Sequence, residues 1–191
     1  WGCLEAAPKE LEVFKIWGLS SLPVPGTQKS IGSGKTNTLA IKNKATEASS
    51  SAPAAEYCDS LSYEYQENTY DDWFLPSLDE LEMMYKNLHS GLDQNGHTYV
   101  PVGNFAEAIF SYWSSSHNDE DFYKAFFMRF DIGIEGSDSK FGNKYVRPVR
   151  AIYLNGSQTD PNDPSEPEDP NDPEDPEDPD PEPDPAPVVY Q

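Results

Sequence analysis

Apolar and polar residues follow two different rhythms along this chain. In "PSLDELEMMYKNLHSG", residues 76–91, Leu78, Leu81, Met84, Tyr85 and Leu88 recur three and four apart, which is the period of an amphipathic helix. Ser77 and Glu80 make an S-x-x-E capping box. Asp79, Glu80 and Glu82 complement the positive end of the helix dipole, and Gly91 supplies the stop. Met83 and Met84 read as core filler. A weaker helix is expected over "SAPAAEYCDSL", 51–61, with Ser51 as cap and Pro53 in the first turn.

Beyond residue 100 the period shortens to two. In "KAFFMRFDI", 124–132, Phe126, Met128, Phe130 and Ile132 alternate with Ala125, Phe127, Arg129 and Asp131. This predicts a half-buried strand with Phe126, Met128 and Phe130 inward. "KYVRPVRAIYL", 144–154, is β-branched and aromatic, with Pro148 predicting an edge position or a break. Between them, "GIEGSDSKFGN" reads as a polar, glycine-rich loop. Helices followed by short strands and long loops give an α+β fold.

Charge divides the chain. No lysine or arginine follows Arg150, and residues 155–191 hold 13 acidic side chains and 11 prolines. Such a segment is expected to be an extended, solvated tail or linker rather than part of a core. Residues 1–154 retain 21 acidic and 13 basic side chains, a net of −8 against −21 for the whole chain. A domain of that length can bury about 68–70% of its unfolded surface, enough for one core. Its acidity and lack of a basic cluster argue against nucleic acid. No run of 18 apolar residues occurs, so no membrane insertion is expected. The start at Trp1, without methionine, suggests a sequence beginning inside a longer gene product.

Candidate chemistry is sparse. "SIGSGKTNT", 30–38, looks like a phosphate-binding loop, but Lys29 stands where G-x-x-x-x-G-K-[ST] needs its first glycine. The preceding "LPVPGTQK" carries two prolines where a buried strand is required, so a glycine-rich turn before a polar helix start is the better reading. Cys3 and Cys58 lack CxxC spacing and are compatible with one disulfide or two buried thiols, of which free thiols are the favoured reading. His89, His97 and His117 fall in separate segments, so neither metal nor cofactor is expected. Ser114–Ser116 lie beside His117, but neighbours on a strand point to opposite faces, so no nucleophile–base pair and no catalytic residue is expected.

Five blocks resemble, in order, the C-terminal domain family of Legionella collagen-like proteins. They are "WGCLEAAPKE" (1–10), "IGSGKTNT" (31–38), "YDDWFLPSLDELEMMYKNL" (70–88), "YWSSS" (112–116) and "YVRPVRAI" (145–152). The resemblance implies a C-type-lectin-like domain over 1–154, of the fold shared with sulfatase-modifying factors, with the family's N-terminal strand missing. The formylglycine-generating enzymes of that fold use a cysteine pair near the C-terminal strand, which Cys3 and Cys58 do not match. The E-P-N, Q-P-D and W-N-D tripeptides of calcium-dependent lectins are absent from the globular part.

The family is also similar to variable proteins of diversity-generating retroelements. Carried onto this chain, the varying positions are Phe127, Arg129, Asp131, Ile132, Ile134, Ser137, Asp138 and Ser139, all of residue types that adenine mutagenesis permits. Met128, Glu135 and Lys140, of excluded types, fall at fixed positions. The expectation is a non-enzymatic module at a bacterial surface or outside the cell. It would bind a protein or glycan through these residues and the loop Asn118, Asp119, Asp121 and Tyr123. A structural or adhesin-stalk domain is the alternative and an enzyme the distant one; oligomeric state is not legible. Phe127 is either an exposed interface aromatic or a ring packed under a loop.

Overall fold

The computed structural model describes residues 2–19, 21–91, 98, 100–106 and 111–152. The expected acidic tail, 155–191, lies outside the described residues. In chain order the elements are β1 (Cys3–Ala6), β2 (Val13–Ile16), α1 (Gly34–Glu47), α2 (Pro53–Asp59), β3 (Tyr63–Tyr65), β4 (Asn68–Tyr70), α3 (Leu78–Met84), β5 (Ser111–His117), β6 (Lys124–Arg129), β7 (Ile134–Ser139), β8 (Asn143–Val146) and β9 (Val149–Ile152). The fold is α+β, as the two rhythms predict.

A five-stranded sheet runs β2-β8-β5-β6-β7, antiparallel except for β5 beside β8. β1 pairs with β9, and β3 with β4, in separate two-stranded ribbons. Adjacent residues of a strand face opposite sides, and the sheet uses both. Trp113 and Ala125 join Trp17, Ile41, Cys58 and Leu75 in one apolar cluster. Tyr112, Met128 and Phe130 join Phe74, Leu81, Met84 and Phe105 in another.

α3 carries the capping box. Glu80 N–H donates to Ser77 Oγ at 3.3 Å, and Ser77 N–H to Glu80 Oε2 at 2.7 Å. The regular helix is shorter than predicted, because the turn Tyr85–His89 widens to π geometry. Tyr85 and His89 rings then both lie 5.6 Å from the ring of Phe130. Pro148 breaks the last strand between β8 and β9, and the chain there leaves the large sheet for the ribbon. Arg147 is buried at that break, donating to Gly103 O and Glu12 Oε2 at 3.0 Å each.

Three expectations need correction. Residues 134–139 form β7 rather than a loop, since an edge strand can be polar on its open side. Phe126 is only half-buried, with Lys29 Nζ 3.8 Å from its ring centroid. Phe127 packs beside Trp113, ring centroids 6.3 Å apart, under Lys144 Nζ at 4.2 Å. The reason is that β6 is an interior strand with both faces covered, so period two does not separate core from solvent. Gly136 opposite Phe127 completes the fit, since a Cβ there would come within 2.7 Å of the ring.

Candidate functional site

The glycine loop that resembles a phosphate cradle already holds an anion of its own. Glu80 is fully buried, and its Oε1 accepts from Gly32 N–H at 2.8 Å and Gly34 N–H at 3.5 Å. Burial pushes its carboxyl above the ordinary glutamate range, although the N–H groups of Ser77, Gly32 and Gly34 oppose this. A side-chain carboxylate thus occupies the backbone donors that a nucleotide phosphate would need.

The serine run is likewise spent on structure. Ser114 Oγ donates to Phe126 O at 2.8 Å, and Ser116 Oγ to Gln28 O at 2.9 Å. Ser115 Oγ accepts from Asn37 Nδ2 at 3.1 Å. His117 contacts Asp119 Oδ1 through Nδ1 at 3.0 Å, and its buried Nε2 has no hydrogen-bond partner among the described residues. Burial and the charge of Lys140 push the imidazole pKa down. Lys140 is itself buried over the Trp17 ring at 4.7 Å, donating to Leu22 O at 2.8 Å; burial lowers its pKa to about 8. Cys3 and Cys58 are free thiols, the former exposed and the latter buried.

The predicted binding residues divide between the two ends of the β6–β7 hairpin. Arg129, Asp131, Ile132 and Ile134 gather at its tip, with Arg129 and Asp131 in a bidentate pair (3.0 and 2.5 Å). Asn118, Asp119, Asp121, Tyr123, Ser137, Asp138 and Ser139 lie toward the opposite end. Six strand residues separate the ends by roughly 17 Å. One compact ligand contact cannot include them all, and Phe127 belongs to neither end, because it sits mid-strand, half-buried against Trp113.

The opposite end is the better-built of the two. Asn118 Oδ1 accepts from the N–H groups of Glu120 and Asp121 at 3.0 and 3.3 Å, while its Nδ2 donates to Ser137 Oγ at 3.2 Å. This fixes the loop on β7. Lys124 pairs with Asp121 at 2.9 Å, which lowers the Asp121 pKa. Lys144 pairs with Asp138 at 2.7 Å. Lys140 N–H donates to Tyr123 O at 3.0 Å, which sets the turn that carries Phe141, closed by Gly142 N–H to Ser139 O at 2.9 Å, beside the turn that carries Phe122 and Tyr123. Phe122, Tyr123 and Phe141 are 42, 51 and 63% exposed, and the first two rings lie 4.5 Å apart, tilted by 31°. Phe122 and Phe141 stand outside the predicted residues; the legible signal was aromatics flanking a polar strand. Three exposed rings among acidic side chains can bury apolar area against a partner while the carboxylates select its charge.

No curated protein matches the chain. The family model of the Lcl C-terminal domain matches residues 27–150.

Proposed function

The chain belongs to the Lcl C-terminal domain family, and from that premise we propose a non-enzymatic ligand-binding module of C-type-lectin-like fold, displayed on or outside a bacterial cell. The ligand is a protein surface, gripped by Phe122, Tyr123 and Phe141 with Asp119, Asp121 and Asp138 at the rim. The observation that carries this reading is the exposure of three large rings in the adjoining turns before β6 and after β7, the first of them fastened by Asn118. Aromatic side chains at the centre of a patch with a polar rim are the usual anatomy of a protein interface. A glycan is the second ligand class, because sugar rings also stack on exposed aromatics. Catalysis is disfavoured because the Ser114, Ser115, Ser116 and Glu80 side chains near the sheet are engaged in structural contacts.

The test is an array of bacterial and host surface proteins and glycans, probed with the wild-type chain and a Phe122→Ser/Phe141→Ser variant. Capture of a protein by wild type and a loss of at least about thirtyfold in the variant, the scale of a hot spot, is expected. Equal capture by both would remove the site from this end of the hairpin. A ligand bound only from the glycan set would change its class. The diversification reading has Arg129, Asp131, Ile132, Ile134, Ser137, Asp138 and Ser139 on an edge hairpin in its favour, with Phe127 against it. A template repeat and reverse transcriptase in the flanking DNA are its test.

A further inference from the structure

A second concavity is built from β1 and the β3–β4 hairpin. Tyr63 and Tyr65 are two apart on β3, and Tyr70 is the direct cross-strand partner of Tyr63, so all three share one face. The Tyr63 and Tyr65 rings stand nearly parallel, 9° apart with centroids 6.4 Å from each other. With Glu5, Pro8 and Trp73 they line a cavity of about 260 Å³. That is just under the ~300–1,000 Å³ of ligand clefts, a size for a headgroup rather than an extended molecule. Trp73 is buried and its indole N–H donates to Tyr70 O at 2.9 Å, which fixes one wall.

These rings already meet one organic cation. The Arg150 guanidinium lies 4.6 Å from the Tyr70 centroid and 5.8 Å from that of Trp73. It is bonded to Asp72 at 2.7 Å and Glu5 at 3.1 Å. Two carboxylates against one guanidinium leave this cluster with an excess negative charge. A primary ammonium would need acceptors for three N–H groups, whereas Glu5, already bonded to Arg150, is the one carboxylate among the lining residues. A methylated ammonium has no N–H to satisfy and is drawn to ring quadrupoles.

We propose that this cleft binds a quaternary ammonium headgroup, with Tyr63, Tyr65 and Tyr70 as the cage and Glu5 as counter-charge. The site is independent of the aromatic end of the hairpin. The full chain is titrated with choline, with 3,3-dimethylbutan-1-ol as its uncharged isostere, and with methyl glucoside, by calorimetry and tryptophan fluorescence. Choline saturates, and the isostere binds at least tenfold more weakly. Tyr65→Ala and Glu5→Gln each weaken choline by about three- to tenfold, with an unchanged near-ultraviolet circular dichroism spectrum. Tyr65 is exposed on the hairpin, so its truncation does not threaten the fold. Phe122→Ser/Phe141→Ser binds choline like wild type. Phosphatidylcholine vesicles separate the sources: binding to vesicles above that to free choline assigns a lipid headgroup, and the reverse a soluble amine. Equal binding of the isostere, saturation by methyl glucoside alone, no saturation by choline in either form, or full affinity in Tyr65→Ala overturns the proposal.

Discussion

Replacing Glu80 tests the claim that a buried carboxylate, not a ligand, fastens the glycine loop. The side chain accepts two well-formed backbone bonds, from Ser77 at 2.7 Å and Gly32 at 2.8 Å, and a marginal one from Gly34 at 3.5 Å. Hydrogen bonds to a charged group are each worth about 1.5–3 kcal/mol, and their loss leaves buried donors unsatisfied. Glu80→Ala should therefore cost about 3–5 kcal/mol. Glu80→Gln keeps one acceptor but turns an amide N–H₂ toward a backbone N–H, so about 2–3 kcal/mol is expected. In urea, with a slope near ~2 kcal/mol/M, Glu80→Ala moves the midpoint by roughly 2 M at constant slope. Gly34→Ala should interact with it, because a Cβ there meets the Glu80 carboxylate and comes 2.8 Å from the Phe74 ring. The double variant then loses less than the sum of the two single losses. The folded carboxyl has a raised pKa, so its pH-linked contribution is fully present below the ordinary glutamate value of about 4.3. That contribution is lost as pH rises through the folded value. The gap between wild type and Glu80→Gln is accordingly wider at acid than at neutral pH. A Glu80→Gln protein within about 0.5 kcal/mol of wild type, a spread typical of inert surface changes, would refute the reasoning.

Phe130→Ala should cost about 3–5 kcal/mol, as for a fully buried aromatic, and Phe126→Ala clearly less; the opposite order in chemical denaturation would restore Phe126 to the core. His117, held neutral by burial and by Lys140, has a lowered folded pKa. Its contribution is present above the unfolded value of about 6.5 and lost as pH falls through the folded one. Wild type should thus lose stability below neutrality more steeply than His117→Gln in pH-resolved thermal melts, and parallel curves would contradict this. Lys140→Met removes a buried cation facing His117, so the imidazole pKa should rise in an NMR titration; an unmoved titration would show that desolvation alone sets it. Deleting residues 158–191 should leave the thermal midpoint of the domain unchanged, whereas a fall of several degrees would mean that the acidic segment supports the fold.

Some of this fold was legible because one residue sufficed to dictate it. Ser77 and Glu80 are a self-contained capping signal, and Pro148 cannot donate to a ladder, so both marks survive any tertiary context. α1 was missed beyond its start because its buried stripe, Gly34, Asn37, Thr38, Ile41 and Ala45, is mostly polar. Asn37 is accommodated by Gln28 and Ser115, and Thr38 by Gly34 and Leu75, partners that sequence spacing does not reveal. The β3–β4 hairpin escaped notice because Gln66 and Glu67 take positive φ at its turn, where asparagine or glycine would have announced it. β1 and β2 are four residues each, too short for alternation to register. Of the candidate site, the β7 residues came only through the family resemblance, and their division between two ends of a hairpin depended on the β7 pairing.

The placement of polar groups supports recognition over chemistry in one further respect. An active site needs reactive groups left unengaged and aimed at a cleft, yet here the buried glutamates and serines hold the fold together. Glu12 binds Arg147 and Tyr112, Glu80 binds the glycine loop, and Ser114–Ser116 bind neighbouring segments. Among the described residues, ring surface is presented outward at two places: Phe122, Tyr123 and Phe141 at one end of a hairpin, and tyrosines around the cleft at β3–β4. Rings bring large contact area at little conformational cost, and rigid strands hold them in place. Reactive side chains spent on internal fastening, with aromatics left at the edges, are the arrangement that the proposed binding role requires.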